Sequence, residues 1–121
     1  MLRRLLFLLP LAVGVSIAAA AIASAGTSKS TGLVGEVGPG YSIEVKLNGK
    51  DLKTIKAGKY VIVVKDTAAD HNFHLTGPGV NKSTSVAAKA TSTWTVTLKK
   101  GTYKFVCDPH KAFMKGSFTV K

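Results

Sequence analysis

From residue 33 onwards the chain alternates apolar and polar positions with a period of two, in short runs separated by turn residues. The clearest runs cover residues 42–47 and 93–98, and a third run places Tyr103, Phe105 and Cys107 on one face. This alternation is typical of half-buried strands. No segment after residue 25 has convincing helical periodicity, so the pattern predicts an all-β domain.

Turn residues divide these runs. Asn48-Gly49 is a preferred dipeptide for a two-residue hairpin turn, in which both residues have positive φ. The return run carries Leu52 and Ile55. Residues 60–64 are continuously apolar and mostly β-branched, which predicts a central strand buried on both faces. Seven to eight short strands, with turn signals roughly every 8–12 residues, predict a β-sandwich or barrel.

The first 25 residues are a different kind of segment. Arg3-Arg4 is followed by an apolar stretch over residues 5–22 and then by Ala23-Ser24-Ala25, a small-residue cleavage site. We interpret residues 1–25 as a signal peptide, 26–31 as a flexible leader and 32–121 as one folded domain. The alternative is an uncleaved anchor, because residues 5–25 are long enough to span a bilayer, for which about 20 residues suffice.

Either interpretation predicts export. The domain is expected in the periplasm or outside the cell, and a retained anchor would tether it to the outer side of the cytoplasmic membrane. Contact with a membrane is expected only through such an anchor. The domain itself is expected to be a monomer.

The charge balance is strongly basic, with 17 Lys and Arg against 6 Asp and Glu and a formal net charge of +11. All basic residues beyond residue 25 are lysines. They indicate either docking to an acidic protein or anionic surface, or simply a solvated coat. Nucleic acid is not expected as a partner, because the domain is exported and lacks the arginines that make bidentate base and phosphate contacts.

The candidate chemistry lies near the end of the chain. Cys107 is the only cysteine, and His110 and Met114 follow it within eight residues. In an exported protein such a cysteine is an intermolecular crosslink, a free thiol or a ligand. Thiolate, imidazole and thioether groups suit a soft transition metal. With a second imidazole, from His71 or His74, they predict a mononuclear copper site, since two imidazoles, a thiolate and a weak axial methionine bind copper in both oxidation states.

His71 and His74 compete for that second imidazole. On an extended strand, residues three positions apart face opposite sides. The two histidines are therefore not expected to bind one metal together.

The residues around this ligand set resemble a known family. Cys-x-x-His followed by Met, preceded by Gly-Thr-Tyr-x-Phe and followed by Lys-Gly-x-Phe-x-Val, resembles the C-terminal half of plastocyanin-type blue copper proteins, the cupredoxins. His71-Asn72 is similar to the His-Asn of that family. The resemblance implies a Greek-key β-sandwich, one copper ion and one-electron transfer between redox partners. It implies His71, Cys107 and His110 as equatorial ligands and Met114 as the axial ligand.

The same resemblance implies roles for other residues. Asn72 would join the two ligand loops by hydrogen bonds, and His74 would lie outside the ligand set. The edge of His110 would reach the surface as the electron exit. The residues expected around it, as a docking patch for a redox partner with an acidic surface, are Pro109, Ala112 and Phe113.

Two further expectations concern chemistry. The protein is not expected to be an enzyme, because a full coordination shell leaves no position open for a substrate. An alternative function with the same ligands is a copper carrier or sensor without electron transfer. Three residues separate His110 from Met114, a spacing that departs from plastocyanin-like loops, so the axial bond is expected to be the least secure.

Overall fold

Two five-stranded sheets pack face to face in residues 32–121, the part of the chain that the computed structural model describes. The first sheet has the order β3-β2-β1-β5-β8 and consists of β1 (Leu33–Val37), β2 (Ile43–Leu47), β3 (Lys50–Asp51), β5 (Gly58–Asp66) and β8 (Ala90–Leu98). The second has the order β4-β10-β9-β6-β7 and consists of β4 (Thr54–Ile55), β6 (His74–Gly77), β7 (Val80–Ser83), β9 (Gly101–Val106) and β10 (Lys115–Val120). The all-β sandwich predicted from the alternation is confirmed.

Both sheets are mixed. β1 pairs in parallel with β5, and β10 pairs in parallel with β4, while the other pairings are antiparallel. Among residues 32–121 the one helical segment is a 3-10 turn, Asp108–His110. No helix in this range is long and apolar enough to cross a membrane. The predicted signal peptide and leader, residues 1–31, lie outside the described residues.

The core lies between the sheets and contains the predicted inward faces. Val96 and Leu98 of β8, Tyr103 and Phe105 of β9, and Phe118 of β10 are all buried. Phe73 also enters the core, above Gly35 of β1. A Cβ atom on Gly35 would lie 2.6 Å from Cζ of Phe73. Position 35 of β1 therefore requires glycine, which has no side chain, so that the Phe73 ring can pack against the backbone.

The hairpin at Asn48-Gly49 forms as predicted, with φ of 51° at Asn48 and 81° at Gly49. The return run differs from the expectation of one strand. It divides into β3, in the first sheet, and β4, in the second. Between them the Leu52 amide donates to the Val45 carbonyl at 2.9 Å, so the chain crosses from one sheet to the other while burying Leu52.

β5 also differs from its prediction. Ile62 and Val64 face the core and are buried, but Val61 and Val63 are only half-buried on the outer face. The second sheet covers β5 on one side only. A continuous apolar run therefore did not mean burial on both faces.

Candidate metal centre

Two loops meet at one end of the sandwich. Residues 67–73 connect β5 to β6, and residues 107–114 connect β9 to β10. The second loop is closed by backbone hydrogen bonds from the His110 amide to the Cys107 carbonyl at 3.0 Å, from the Met114 amide to the His110 carbonyl at 2.9 Å, and from the Cys107 amide to the Met114 carbonyl at 3.0 Å. Pro109, with its fixed φ, stands early in the 3-10 turn that brings His110 back towards Cys107.

Three atoms with lone pairs converge between these loops. Nδ1 of His71 and Nδ1 of His110 are 3.0 Å apart, and Sγ of Cys107 lies 3.7 Å from the first and 3.6 Å from the second. His71 and Cys107 are buried, and His110 is half-buried. The structure thus brings together three of the four predicted ligands, from two separate loops, with these atoms within 3.7 Å of one another.

These separations fit a metal ion. A first-row ion in a trigonal plane, about 2.0 Å from each nitrogen and about 2.3 Å from sulfur, places each nitrogen about 3.7 Å from the sulfur and the nitrogens about 3.5 Å apart. The sulfur–nitrogen distances agree, and the nitrogen–nitrogen distance of 3.0 Å is about 0.5 Å shorter than in this ideal arrangement. One thiolate with two imidazoles is a donor set suited to copper.

Met114 occupies the last position of the ligand loop, immediately before β10. Its side chain is 1% exposed, and its backbone is bonded to both Cys107 and His110. The three-residue spacing from His110 is therefore accommodated in a closed loop that keeps Met114 buried at the same end of the sandwich.

Asn72 and Asp108 connect the two loops. The Asn72 amide donates to Oδ2 of Asp108 at 2.7 Å, and the Asp108 backbone amide donates to Oδ1 of Asn72 at 2.7 Å. Asn72 is buried and directly follows His71, while Asp108 directly follows Cys107. The bonds therefore hold the residues next to two candidate ligands against each other.

His74 stands apart from the three converging atoms. Its Nδ1 lies 3.0 Å from both carboxylate oxygens of Asp108, and its Nε2 lies 2.7 Å from Oδ1 of Asn81. The pKa of His74 is raised, first by the Asp108 hydrogen bond and then by Asn81. The pKa of Asp108 is lowered, mainly by the hydrogen bond from Asn72, against the opposing effect of burial, and further by His74. The sequence did not predict this pair, since its pattern identifies Asp108 only as a turn residue.

A second hydrogen-bond chain holds the loop that carries His71. The Phe73 amide donates to Oγ1 of Thr84 at 2.8 Å, and Thr84 donates from that hydroxyl to Oδ2 of the buried Asp66 at 2.7 Å. The Thr84 amide donates to the Phe73 carbonyl at 3.0 Å. Oδ1 of Asp66 accepts from the Ala68 amide at 3.3 Å, so this carboxylate holds the start of the loop directly and its end through Thr84.

Aromatic rings cover the outer side of the site. The ring of Tyr41 lies 5.4 Å from that of His71, 5.3 Å from that of His110 and 5.5 Å from that of Phe113, measured between centroids. Tyr41 and Phe113 are 66% and 60% exposed, and Pro109 and Ala112 are also exposed. The sequence pattern gives no indication of a role for Tyr41, because its loop is far from Cys107 along the chain.

Comparisons with known proteins agree with this geometry. A family model described as copper binding proteins of the plastocyanin/azurin family matches residues 35–121. No curated protein matches the chain.

Solved structures of rusticyanin share the fold. Reduced rusticyanin is 20% identical, with a TM-score of 0.52 over 74% of this chain and 77% of that one. Rusticyanin from Thiobacillus ferrooxidans is 22% identical, with a TM-score of 0.51 over 74% and 75%. A methionine-to-glutamine variant of rusticyanin is 22% identical, with a TM-score of 0.54 over 74% and 76%.

The family match covers most of the chain and includes both ligand loops. The sandwich is the fold that those solved structures share. The converging thiol and imidazoles supply the donor set that copper requires. The chain belongs to the plastocyanin/azurin family of copper-binding proteins, the cupredoxins, and takes one copper ion.

Proposed function

We propose that this protein is an exported type 1 blue copper protein that carries single electrons between redox partners, with His71, Cys107, His110 and Met114 as its ligands. The observation that carries the proposal is the convergence of two imidazole nitrogens and one thiol sulfur within 3.7 Å of one another. When bound, copper supplies the change between Cu(I) and Cu(II). The role of the chain is to hold, shield and connect that ion, without bond making or catalysis.

The surrounding structure suits an electron carrier because it resists movement. The Asn72–Asp108 bonds, the closed backbone ring of residues 107–114 and the Asp66–Thr84–Phe73 chain each restrain a ligand loop. Ligands held by neighbouring hydrogen bonds keep their orientation when the charge of the metal changes. Little rearrangement then accompanies the transfer of one electron.

The exit for the electron in this proposal is the half-exposed His110. The exposed residues Pro109, Ala112 and Phe113 form the apolar docking patch around it, and Tyr41 adds a ring that contacts both histidines. An acidic surface on the partner stays a prediction, and Lys111 is the lysine adjacent to His110 that would meet it.

Titration of the purified protein with Cu(II) tests the ligand set. An intense blue colour and a saturation point of one copper per chain are expected, because the colour requires a thiolate bonded to Cu(II). The substitution Cys107→Ser is expected to abolish it. A colourless complex of the unsubstituted protein with Cu(II) would contradict the proposal.

Two histidine variants distinguish the competing imidazoles. His71→Gln is expected to lose the blue site, whereas His74→Gln, a matched change three residues away, is expected to keep it. The opposite result would assign the ligand to His74. Voltammetry of the loaded protein should show a reversible one-electron wave, while a site that stays trapped as Cu(I) would indicate copper delivery instead of electron transfer.

A further inference from the structure

Positive charge is concentrated at the end of the sandwich opposite the copper site. Backbone pairings connect the start of β5, the end of β8, the start of β9 and the end of β10: Gly58 lies opposite Leu98, and Gly101 opposite Val120. The Ala57 amide then donates to the Lys121 carbonyl at 2.8 Å. This end, which we name the basic pole, carries six exposed lysines: Lys53, Lys56, Lys59, Lys99, Lys100 and Lys121.

The basic pole has almost no compensating charge. Across residues 32–121 the ion pairs involve Lys46, His71 and His74, and none involves a lysine of the pole. Asp51 is the acidic residue nearest to the pole along the chain, between Lys50, which is not part of the pole, and Lys53.

The copper end has a different balance. Its loops and the adjoining strand ends contain four lysines, Lys65, Lys89, Lys111 and Lys115, and four acidic residues, Glu36, Asp66, Asp70 and Asp108. The six residues of β9 separate the two ends, which at about 3.3 Å per residue corresponds to roughly 20 Å. Charge that lies so far from the redox site is not placed to attract a partner to it.

The described chain begins between the basic pole and the copper end. β1 runs parallel to β5, but its first residue, Leu33, pairs with Ile62, four residues after β5 starts at Gly58. The Asn48 amide donates to the Gly32 carbonyl at 3.0 Å. Because β1 runs towards the copper end, the chain enters it from the side of the basic pole.

We propose that the basic pole lies against the anionic headgroups of a lipid bilayer, with the copper end directed away from the membrane. Clusters of lysines near a membrane surface are attracted to anionic lipid, and lysine, as a compact point charge, needs no planar bidentate acceptor. The orientation leaves His110, Tyr41 and Phe113 free for a redox partner. It requires neither a retained leader nor bound copper.

The test measures the reactivity of each lysine in the full-length chain. The protein is incubated with vesicles of phosphatidylcholine alone, or of phosphatidylcholine mixed with phosphatidylglycerol, and labelled with an amine-reactive reagent whose sites are read by mass spectrometry. We expect several-fold lower labelling of Lys53, Lys56, Lys99 and Lys100 with anionic vesicles only. Lys89 and Lys111 serve as internal controls and should remain reactive.

A matched pair of variants tests the position of the charge. Lys99→Glu combined with Lys100→Glu should abolish the protection of Lys53 and Lys56. Lys104→Glu combined with Lys115→Glu makes the same change in charge on the exposed outer face of the second sheet, and should leave that protection intact. The protection should also weaken at 1 M salt, where the Debye length is about 3 Å.

Several results would overturn the proposal. Uniform labelling in both vesicle types, or protection that is strongest at the copper end, would show that the pole does not face lipid. Equal protection by both vesicle types would show that the leader, and not the charge of the pole, determines the contact. Protection by polyglutamate but not by anionic vesicles would assign the pole to an acidic polypeptide. The labelling is repeated without copper, so a failure of the electron-transfer proposal leaves this test intact.

Discussion

Asp108 joins three side chains that are far apart in the sequence. It accepts hydrogen bonds from Asn72 and from His74, and His74 in turn bonds Asn81. Both ring nitrogens of His74 face oxygen acceptors, an arrangement that suits the charged imidazolium because it donates from both nitrogens. The copper ligand loop is thus connected to the outer face of the second sheet through one carboxylate.

The His74–Asp108 pair should make stability depend on pH in a defined direction. The pKa of His74 is raised by folding, so its contribution is complete below its unfolded value of about 6.5 and is lost as the pH rises through the folded value. The pKa of Asp108 is lowered, so its contribution is present above about pH 4 and is lost as the pH falls through its folded value. The pair is therefore fully effective between about pH 4 and 6.5.

The variant His74→Gln measures this contribution. The unfolding free energy of the metal-free protein should fall by about 1 kcal/mol or less near pH 5.5, because the pair is partly exposed, and the difference should shrink at alkaline pH. Chemical denaturation at several pH values provides the comparison. A difference that grows with pH would contradict the assigned charge states.

Met114 should determine the reduction potential more than it determines copper binding. If it is the weak axial ligand, Met114→Leu removes a donor that stabilises Cu(II) more than Cu(I), so the potential should rise. A shift on the order of 60–120 mV corresponds to about 1.4–2.8 kcal/mol for one electron. Met114→Gln supplies a harder oxygen donor and should shift the potential in the opposite direction.

Voltammetry and the visible spectrum give the two readouts for Met114. The blue colour should persist in both variants, since Cys107 is unchanged. Equal potentials in both variants and the unsubstituted protein would show that Met114 is a core residue and not a ligand.

At the level of elements, the loop that carries His71 is held in place by Thr84, which is not one of the proposed copper ligands. Thr84, just beyond β7, accepts from the Phe73 amide and donates to Asp66 at the end of β5. The Thr84 hydroxyl therefore links the end of β5 to the loop that carries His71. The position of His71 depends on a hydrogen-bond chain that begins eleven residues away from Phe73 along the sequence.

The substitution Thr84→Val tests whether the position of His71 depends on Thr84. It keeps the shape of the side chain but removes the hydrogen-bond partner of the Phe73 amide and of Oδ2 of Asp66, which costs about 1–3 kcal/mol. The copper spectrum should broaden as well, because His71 is no longer held in one orientation. Thr84→Ser keeps the hydroxyl and should preserve both properties.

Thr95→Val is the matched control for the same chemical change at an exposed strand position. Surface substitutions of this kind usually alter stability by about 0.5 kcal/mol or less. Denaturation and the spectrum of the copper-loaded protein are measured side by side. Loss of stability in Thr84→Val with an unchanged spectrum would show that Thr84 supports the fold alone.

The elements differ in how far the sequence could predict them. Alternation predicted β8 and β9 because one face of each meets the core, and Asn48-Gly49 predicted its turn because few residues accept positive φ. The division of the return run into β3 and β4 was not predictable in this way, since the crossing at Leu52 depends on which sheet lies nearby. The same holds for β5, whose outer valines look like core residues in the sequence.

The site was predictable where its chemistry is local. Cys107, His110 and Met114 form a compact motif, and the resemblance to cupredoxins pointed to His71. Tyr41, Thr84 and the partners of Asp108 were not predictable, because each reaches the site only through packing between distant loops.

At the scale of the whole molecule, the net charge does not predict how charge is distributed over the surface. The sequence total of +11 suggests a uniformly basic surface, whereas the two ends of the folded domain differ strongly. Strand direction decides this, since the turns and strand ends at one end carry six exposed lysines and the loops at the other end carry the proposed ligands. Composition alone contains no information on such a separation.

Electron exchange between oxidised and reduced copies of the protein should therefore be insensitive to the basic pole. At 0.1 M salt the Debye length is about 10 Å, shorter than the separation of the ends, so Lys99→Glu with Lys100→Glu should change the rate less than about twofold. Lys111→Glu makes the copper end more negative and should slow the exchange. NMR line broadening of partly reduced samples measures the exchange rate of each variant. An equal effect of the pole substitutions and of Lys111→Glu would contradict the difference in charge between the two ends.

The placement of the chain ends has a practical consequence. Gly32 lies beside the Asn48–Gly49 turn and Lys121 pairs with Ile55 and Ala57, so both ends of the domain leave the sandwich on the side remote from His110. A tag or linker added at either end would fix the protein to an electrode with its redox-active face outward. The protein could then be attached to the electrode without any substitution in the copper loops.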